Sequence, residues 1–161
     1  MIISEALSEP TPVVLEPEPA VVTRQRDVTI PHLPALFDVG YRALAASGAA
    51  LTGPAYALYR GDPSEVFDLE IGFPVSEPLP APLPGEPTVM PSTLPAGPAL
   101  AITHRGSYDS LPASWERLAT EAAARGMTPV GWLEVYVTAP TPDTDPATLR
   151  SDLFLLVDGP A

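Results

Sequence analysis

The stretch that decides the fold reads Gly131-Trp132-Leu133-Glu134-Val135-Tyr136-Val137. Its residue types alternate, and alternation is the period of a strand whose two faces differ. One face carries only apolar residues, and the other carries two aromatic rings with Glu134 between them. We expect the apolar face to pack on a core beneath the helix layer, so that Glu134 faces away from that layer.

The face that carries Trp132, Glu134 and Tyr136 has two interpretations. In the first, Glu134 is a solvated acid and the rings merely cover a sheet. In the second, the rings and the single carboxylate form a shallow receptor for flat cationic or polarised molecules. The strand alone leaves both interpretations open.

Composition indicates one folded domain and excludes several kinds of site. The 161 residues are 45% hydrophobic, which supplies enough apolar side chains for a core. The sequence contains no cysteine and only two histidines, His32 and His104. We therefore predict no disulfide framework and no metal site, and we expect no cofactor.

Charge and hydropathy narrow the possible partners. The formal net charge is −12, and an acidic surface repels phosphate groups, so we expect no direct binding of nucleic acid. The sequence contains no run of about 18 apolar residues, so we predict no membrane span. The N-terminus lacks the basic start and the apolar run of a secretory signal, and we therefore expect a cytoplasmic protein.

Proline divides the chain. Residues 1–19 form an acidic, proline-rich tail that we expect to be extended or disordered. Residues 76–98 contain eight prolines and are predicted to be a linker without a central strand, because proline removes amide donors from a ladder. Residues 20–161 are predicted to be one domain, with a first repeat at 20–75 and a second at 99–158.

Periodicity places the same order of elements in both repeats. Strands are predicted at 20–28, 55–60, 67–75, 99–104, 131–137 and 149–157, and helices at 30–48 and 110–126. Gly40 inside the first helix predicts a close approach of helix and sheet. We predict an α+β fold of duplicated strand-helix-strand-strand modules with pseudo-twofold symmetry. Its antiparallel sheet carries two long helices on one side and a ligand groove between the repeats.

Two motifs resemble those of the GyrI-like small-molecule-binding domain family. The run from His104 to Trp115 is similar to the family's His-x-Gly-x-Tyr-x-x-Leu-x-x-x-Trp pattern. Trp132-Leu133-Glu134-Val135-Tyr136, followed by Pro140, is similar to its Trp-x-Glu-x-Tyr pocket strand. The resemblance covers roughly residues 19–158 and implies a duplicated fold in which Glu134 faces a drug-sized ligand in a groove between the copies.

The resemblance also implies a range of functions. Some members of the family are effector domains of multidrug-sensing regulators, and others stand alone, including a gyrase-inhibitory protein. Some stand-alone members hydrolyse cyclopropane-bearing DNA-alkylating antibiotics. The tail of residues 1–19 is too short for a DNA-binding domain, so we expect the chain to resemble the stand-alone members.

Two functions from different classes remain open. As a binding module, the protein would capture or sense aromatic, often cationic compounds through a carboxylate and stacking rings. As a hydrolase that confers self-protection or resistance, it would use Glu134 to position or deprotonate a water and Tyr108 to hold the substrate oxygen. A weaker third option is a partner-binding protein whose acidic surface mimics nucleic acid. The candidate ligand-binding residues are Glu134, Trp132, Tyr136, Tyr108, Tyr59 and Tyr56.

Several aromatic residues and one histidine also have structural interpretations. Trp115 lies at core spacing on the second helix, and we expect it in the core. His104 ends a strand beside a glycine, which favours hydrogen bonding within the turn. Tyr108 opens a helix, where its ring would either staple the turn or reach the groove. Tyr56 and Tyr59 point to opposite faces of their strand, so at most one of them lines the groove.

Overall fold

Eight strands and two long helices make up the part of the chain that this computed structural model describes, residues 5–61, 65–139 and 141–158. In chain order they are β1 (Thr11–Leu15), β2 (Pro19–Val28), α1 (Leu33–Ala46), β3 (Tyr56–Gly61), β4 (Phe67–Pro74), β5 (Met90–Thr93), β6 (Gly97–Arg105), α2 (Leu111–Ala124), β7 (Thr128–Tyr136) and β8 (Arg150–Asp158). Short 3₁₀ turns at Ile30–His32, Tyr108–Ser110 and Pro146–Thr148 complete the pattern. Among the described residues, no helix combines the length and the apolar composition that a bilayer crossing requires.

The chain divides into two compact units. The first-repeat unit is Glu16–Pro95, and the second-repeat unit is Met1–Leu15 together with Ala96–Ala161. Every described strand pair within the two units is antiparallel. The predicted α+β fold of repeated strand-helix-strand-strand modules is therefore confirmed.

In the first-repeat unit the strand order is β5-β2-β4-β3, and α1 packs on β2 and β4. Gly40 is buried in α1 and makes that contact close. A Cβ atom at this position would overlap Ile71 Cδ1 and would lie 2.9 Å from Thr23 Oγ1. The close approach predicted from Gly40 is confirmed, and it explains why a helix tolerates a residue of low helix propensity.

In the second-repeat unit the strand order is β1-β6-β8-β7, and α2 packs on β6, β7 and β8. The contact is an apolar cluster to which the helix contributes three residues spaced by seven and four positions. The buried residues of this α2 cluster are Leu100, Ile102, Leu111, Leu118, Ala122, Met127, Leu153, Leu155 and Val157. Trp115 and Trp132 pack against it as partly buried side chains.

The tail was predicted to be extended or disordered, and Thr11–Leu15 is extended. This segment is the edge strand β1, whose register with β6 runs from Thr11↔Ala101 to Leu15↔Gly97. An edge strand hydrogen-bonds on one side only, so it accepts proline, whereas a central strand does not. Leu7 extends the attachment, because its backbone N–H donates to Thr103 Oγ1 at 2.9 Å.

Residues 76–98, predicted to be a linker without a central strand, contain strand β5, which lies at the end of the strand order and pairs with β2. They also contain the first two residues of β6, Gly97 and Pro98, which pair with β1, so an internal strand begins inside the predicted linker. Pro91 sits inside β5, again at an edge. Strands β1 and β5 also share a topological feature: each precedes the first strand of one repeat in sequence and pairs with the first strand of the other.

The predicted orientation of Glu134 is wrong. In the register of β7 and β8, Glu134 is paired with Leu153, which belongs to the α2 cluster, so both side chains face α2. Leu133 and Val135 face the other way and are paired with Phe154 and Asp152. Residues on both faces of β7 are buried. The apolar residues on one face therefore do not show that the helix covers that face.

Candidate functional site

Glu134 is the central side chain of the candidate site. It lies on β7, is only 7% exposed, and faces α2. The indole Nε1–H of Trp115 donates to Oε2 at 2.8 Å, and the hydroxyl of Tyr136 donates to Oε1 at 2.7 Å. Each carboxylate oxygen therefore accepts a short hydrogen bond from a neutral ring donor, and such charge-assisted bonds are stronger than neutral ones.

Aromatic rings surround this carboxylate. Tyr108, at the start of the 3₁₀ turn before α2, meets Tyr136 edge to face, with ring centroids 5.8 Å apart and an interplanar angle of 62°. Trp132 is on the same face of β7 as Glu134 and packs against the α2 cluster. We call Glu134, Trp115, Tyr136 and Tyr108 the Glu134 cluster.

Electrostatics connects Tyr108 to the carboxylate. Burial raises the pKa of the Tyr108 hydroxyl above its ordinary value, and the negative charge of Glu134 raises it further. Tyr108 nevertheless remains 37% exposed, so its ring forms the solvent-facing side of the cluster. At neutral pH its hydroxyl is protonated and can donate a hydrogen bond to a ligand.

A buried histidine fixes the start of α2, from which Trp115 extends. His104 is 5% exposed at the end of β6, and its Nδ1 lies 2.7 Å from Ser114 Oγ. Its Nε2 lies 3.0 Å from the Ser107 carbonyl oxygen and 3.1 Å from Ser110 Oγ. An Nε2–H tautomer satisfies these contacts, with Nε2–H donating to Ser107 and Nδ1 accepting from Ser114. The expected role of His104 in turn bonding is confirmed.

The structure brings some of the predicted site residues together and places others elsewhere. Glu134, Tyr136 and Tyr108 form one cluster, and Trp132 is on the same face. Tyr59 and Tyr56 belong to the first-repeat unit, where Tyr59 packs edge to face on Phe67 with centroids 5.4 Å apart. Their role as ligand-binding residues stays a prediction.

Sequence reasoning missed two polar groups near Glu134. Trp115 was expected in the core, yet its indole nitrogen holds the carboxylate. Ser151 on β8 is paired with Tyr136 and is 1% exposed, and its hydroxyl has no hydrogen-bond partner among the described residues. The helical spacing from Leu111 to Trp115 was the available signal for Trp115, whereas the alternation of β8 gave none for Ser151.

The donor set of the described residues does not suggest a metal centre. No group of three or more His, Cys, Asp or Glu side chains within that part of the chain is arranged to hold an ion. The chemistry available at the Glu134 cluster is that of a single carboxylate, phenol hydroxyls and ring faces.

Solved structures share this fold at low sequence identity. The C-terminal domain of EcmrR superposes with a TM-score of 0.74 at 19% identity, covering 94% of this chain and 98% of that domain. SAV2435 bound to tetraphenylphosphonium gives 0.68 at 11% identity, with 94% of each chain covered. A hydrolase encoded by lin2189 from Listeria innocua gives 0.61 at 10% identity, covering 96% of this chain and 94% of that one.

The match to a longer protein is partial. The chain spans 57% of EcmrR in the EcmrR-DNA complex, with a TM-score of 0.73 and 19% identity. No curated protein matches the sequence. The model of the GyrI-like small molecule binding domain matches residues 14–158, which is most of the chain. With the repeated modules in place, this match shows that the chain belongs to the family of GyrI-like small molecule binding domains.

Proposed function

We propose that the protein captures or senses aromatic cations at the Glu134 cluster, which would be the acidic centre of the predicted groove. The observation that carries this proposal is the hydrogen-bonded carboxylate of Glu134, 7% exposed and in contact with two aromatic donors. Membership of a small-molecule-binding family supports the general role. The negative charge of Glu134 beside aromatic rings supports an aromatic cation as the class of ligand.

The charge of Glu134 favours a cation for a physical reason. Trp115 and Tyr136 stabilise the carboxylate by hydrogen bonding, and both donors are neutral. A cation that displaces water beside this carboxylate gains Coulomb energy in an environment of low effective dielectric. Ring faces add a cation–π contribution of about 0.5–2 kcal/mol.

Tyr108 is the residue that controls access in this proposal. Its ring covers Tyr136 from the solvent side and is itself partly exposed. A change of its side-chain rotamer would open the carboxylate to a ligand, and the ring would then stack on that ligand. We expect Tyr108→Ala to weaken aromatic ligands whether they are charged or neutral.

Paired ligands test the role of charge. We would titrate the protein with tetraphenylphosphonium and with neutral triphenylphosphine oxide by isothermal calorimetry. Glu134→Gln keeps the shape and removes the charge, so we expect affinity for the cation to fall about tenfold or more. Affinity for the neutral compound should change by less than about threefold.

Glu70→Gln is the matched control, because it makes the same chemical change on a strand of the other unit. This control should leave both affinities unaltered. Cation binding that is equally tight in wild type and Glu134→Gln would contradict the proposal.

The second candidate function is the hydrolysis of cyclopropane-bearing alkylating antibiotics. The partly exposed ring of Tyr108, which packs on Tyr136 beside the Glu134 carboxylate, favours it, because a carboxylate and a phenol can act as base and oxygen-binding donor. Glu134 would take a proton from water as the hydroxide attacks the cyclopropane carbon. The electrons of the broken C–C bond would pass to the conjugated oxygen, where Tyr108 would hold the developing charge.

Turnover separates the two candidates. A cyclopropane-bearing alkylator would be incubated in tenfold excess over the protein, and the ring-opened product would be counted by mass spectrometry. A hydrolase converts all of the compound, and Glu134→Gln abolishes conversion while binding persists. Recovery of intact compound, with one equivalent bound per protein, would support capture without catalysis.

A further inference from the structure

We propose that the proline-rich linker builds a second small-molecule site, in the first-repeat unit, for single-ring aromatic amines that carry a hydroxyl on the ring. The site is a cleft of about 170 Å³ between α1, the strands β2 and β4, and linker residues Glu86 and Pro87. We call it the linker cleft. It lies wholly within the first-repeat unit, shares no residue with the Glu134 cluster, and does not depend on the function proposed above.

The size and lining of the cleft suit one aromatic ring. Its walls combine apolar and polar side chains. Leu36 and Val39 of α1 with Leu69 and Ile71 of β4 are apolar, and Gln25 of β2 is polar. An apolar cavity of about 150 Å³ in another protein binds benzene, so this volume accepts a ring with small substituents.

A buried hydroxyl lies at the inner end of the cleft. Thr23 on β2 is 3% exposed, and its Oγ1 is 2.9 Å from the position that a Cβ on Gly40 would occupy. Both residues line the cleft. The oxygen of this hydroxyl can accept a hydrogen bond from a ligand hydroxyl, which would offset the cost of removing the two groups from water.

A carboxylate lies at the outer end. Glu86 is exposed on the linker side of the cleft, beside Pro87. The segment is held in place by paired backbone hydrogen bonds between Leu83 and Val89, at 2.8 and 3.1 Å. The prolines of the segment restrict its backbone further, so Glu86 is presented from a wall with few conformations.

The two ends define the ligand. A hydroxyl acceptor at the buried end and a negative charge at the mouth are complementary to a phenol at one end of a ring and an ammonium at the other. Tyramine has this arrangement, phenethylamine lacks the hydroxyl, and 4-ethylphenol lacks the amine. The three compounds therefore report on each end separately.

Heteronuclear NMR titration of the full chain at pH 7 tests the site. We expect tyramine to shift the backbone amides of Thr23, Gly40 and Ile71 in saturable fashion and to bind more tightly than either analogue. Thr23→Val removes the hydroxyl and keeps the shape, so it should cancel the advantage of tyramine over phenethylamine, which we expect to be about threefold to tenfold.

Glu86→Gln tests the role of the negative charge at the outer end of the linker cleft. It should cancel the advantage of tyramine over 4-ethylphenol, whereas Glu77→Gln, an exposed charge elsewhere on the same linker, should not. Val39→Trp places a large ring at a half-exposed position on the cleft wall and should reduce all three affinities more than tenfold. Glu134→Gln should change none of them, which separates this site from the function proposed above.

Two results would overturn the proposal. One is tyramine-induced shifts that do not include the cleft amides, or that persist in Val39→Trp. The other is equal binding of tyramine and its analogues to wild type. If Thr23→Val were too unstable to study, Thr23→Ser, which keeps the hydroxyl, should preserve the selectivity for tyramine, and loss of that selectivity would count against the site.

Discussion

Glu70 and Glu134 are strand carboxylates in the two repeats, and the structure treats them differently. Glu70, on β4, faces away from α1 and accepts hydrogen bonds from Arg24 Nε at 2.9 Å and from Ser92 Oγ at 3.1 Å. Glu134, on β7, faces α2 and accepts from Trp115 and Tyr136. Glu134 accepts from two aromatic donors, and Glu70 accepts from an arginine and a serine.

The comparison teaches that the side of the sheet, more than the residue type, decides what a carboxylate can do. Glu70, on the face away from α1, pairs with Arg24, whose side chain is 48% exposed, so solvent screens the attraction. Glu134, beneath α2, accepts hydrogen bonds from aromatic donors in a buried position. The arrangement at Glu70 attaches an edge strand, since Ser92 belongs to β5. The arrangement at Glu134 is the one on which the proposed function rests.

Gly72→Ala should have the largest effect, because it changes the tight packing on the Glu70 side. A Cβ there would overlap the Val21 carbonyl oxygen and would lie 2.8 Å from Val22 Cγ1 and 3.0 Å from the Tyr56 hydroxyl. We expect the free energy of unfolding to fall by about 3 kcal/mol, measured by urea denaturation. Gly85→Ala in the linker is the control, with its nearest contact at 3.3 Å. Equal stability of the two variants would contradict the close packing.

A double-mutant cycle between Trp115→Phe and Glu134→Gln should give the next largest effect. Trp115→Phe leaves a buried carboxylate oxygen without its donor, and Glu134→Gln removes the charge that makes this loss costly. We expect a coupling energy of about 1.5 kcal/mol in urea denaturation. A coupling near zero would mean that the indole hydrogen bond does not hold the carboxylate.

The same cycle on the outer acid should give a smaller value. Arg24 and Glu70 have side chains that are 48% and 17% exposed, so solvent screens their attraction. We expect Arg24→Met and Glu70→Gln to couple by less than about 1 kcal/mol, and the coupling to vanish in 1 M NaCl. The coupling of Trp115 with Glu134 should survive that salt. If both couplings vanish in 1 M NaCl, the two acids do not differ as described.

Tyr56→Phe should have the smallest effect at neutral pH. Its hydroxyl is buried without a hydrogen-bond partner among the described residues, so we expect a change within about 1 kcal/mol. Tyr56 should affect stability at alkaline pH. Its burial raises the pKa of the Tyr56 hydroxyl above 10.0, and the nearby charge of Glu70 raises it further. The folded protein then holds a proton that the unfolded chain releases, so stability falls as pH rises above about 10. Thermal unfolding of Tyr56→Phe should show a shallower alkaline decline, and an unchanged decline would sink this explanation.

The sequence predicted the repeated order of elements because the two periods are clear in it. The α2 pattern of Leu111, Leu118 and Ala122 gave the helix and its buried stripe. The six strands that carry alternation or β-branched runs were found within a few residues. The motifs around Tyr108 and Glu134 also singled out three members of the cluster that the structure brings together.

The remaining features depend on tertiary context. Alternation shows which side chains of β7 share a face, but not which face the helix covers, and Leu133 and Val135 are buried on the far side all the same. The edge strands β1 and β5 contain Pro12 and Pro91, so local propensity argued against both. The Trp115–Glu134 bond joins residues on different elements, and no local pattern specifies such a contact.

Strand β1 precedes the first repeat in sequence but pairs with β6 of the second repeat, and this has a consequence for the order of events during synthesis. β1 is made before either helix, yet its partner β6 is made much later, as the pairing of Thr11 with Ala101 shows. A nascent strand with Val14 exposed would be a template for pairing with other chains throughout that interval. The prolines and acidic residues around β1 disfavour such pairing. The composition that predicted an extended or disordered tail would therefore limit intermolecular pairing of β1 until β6 has been made.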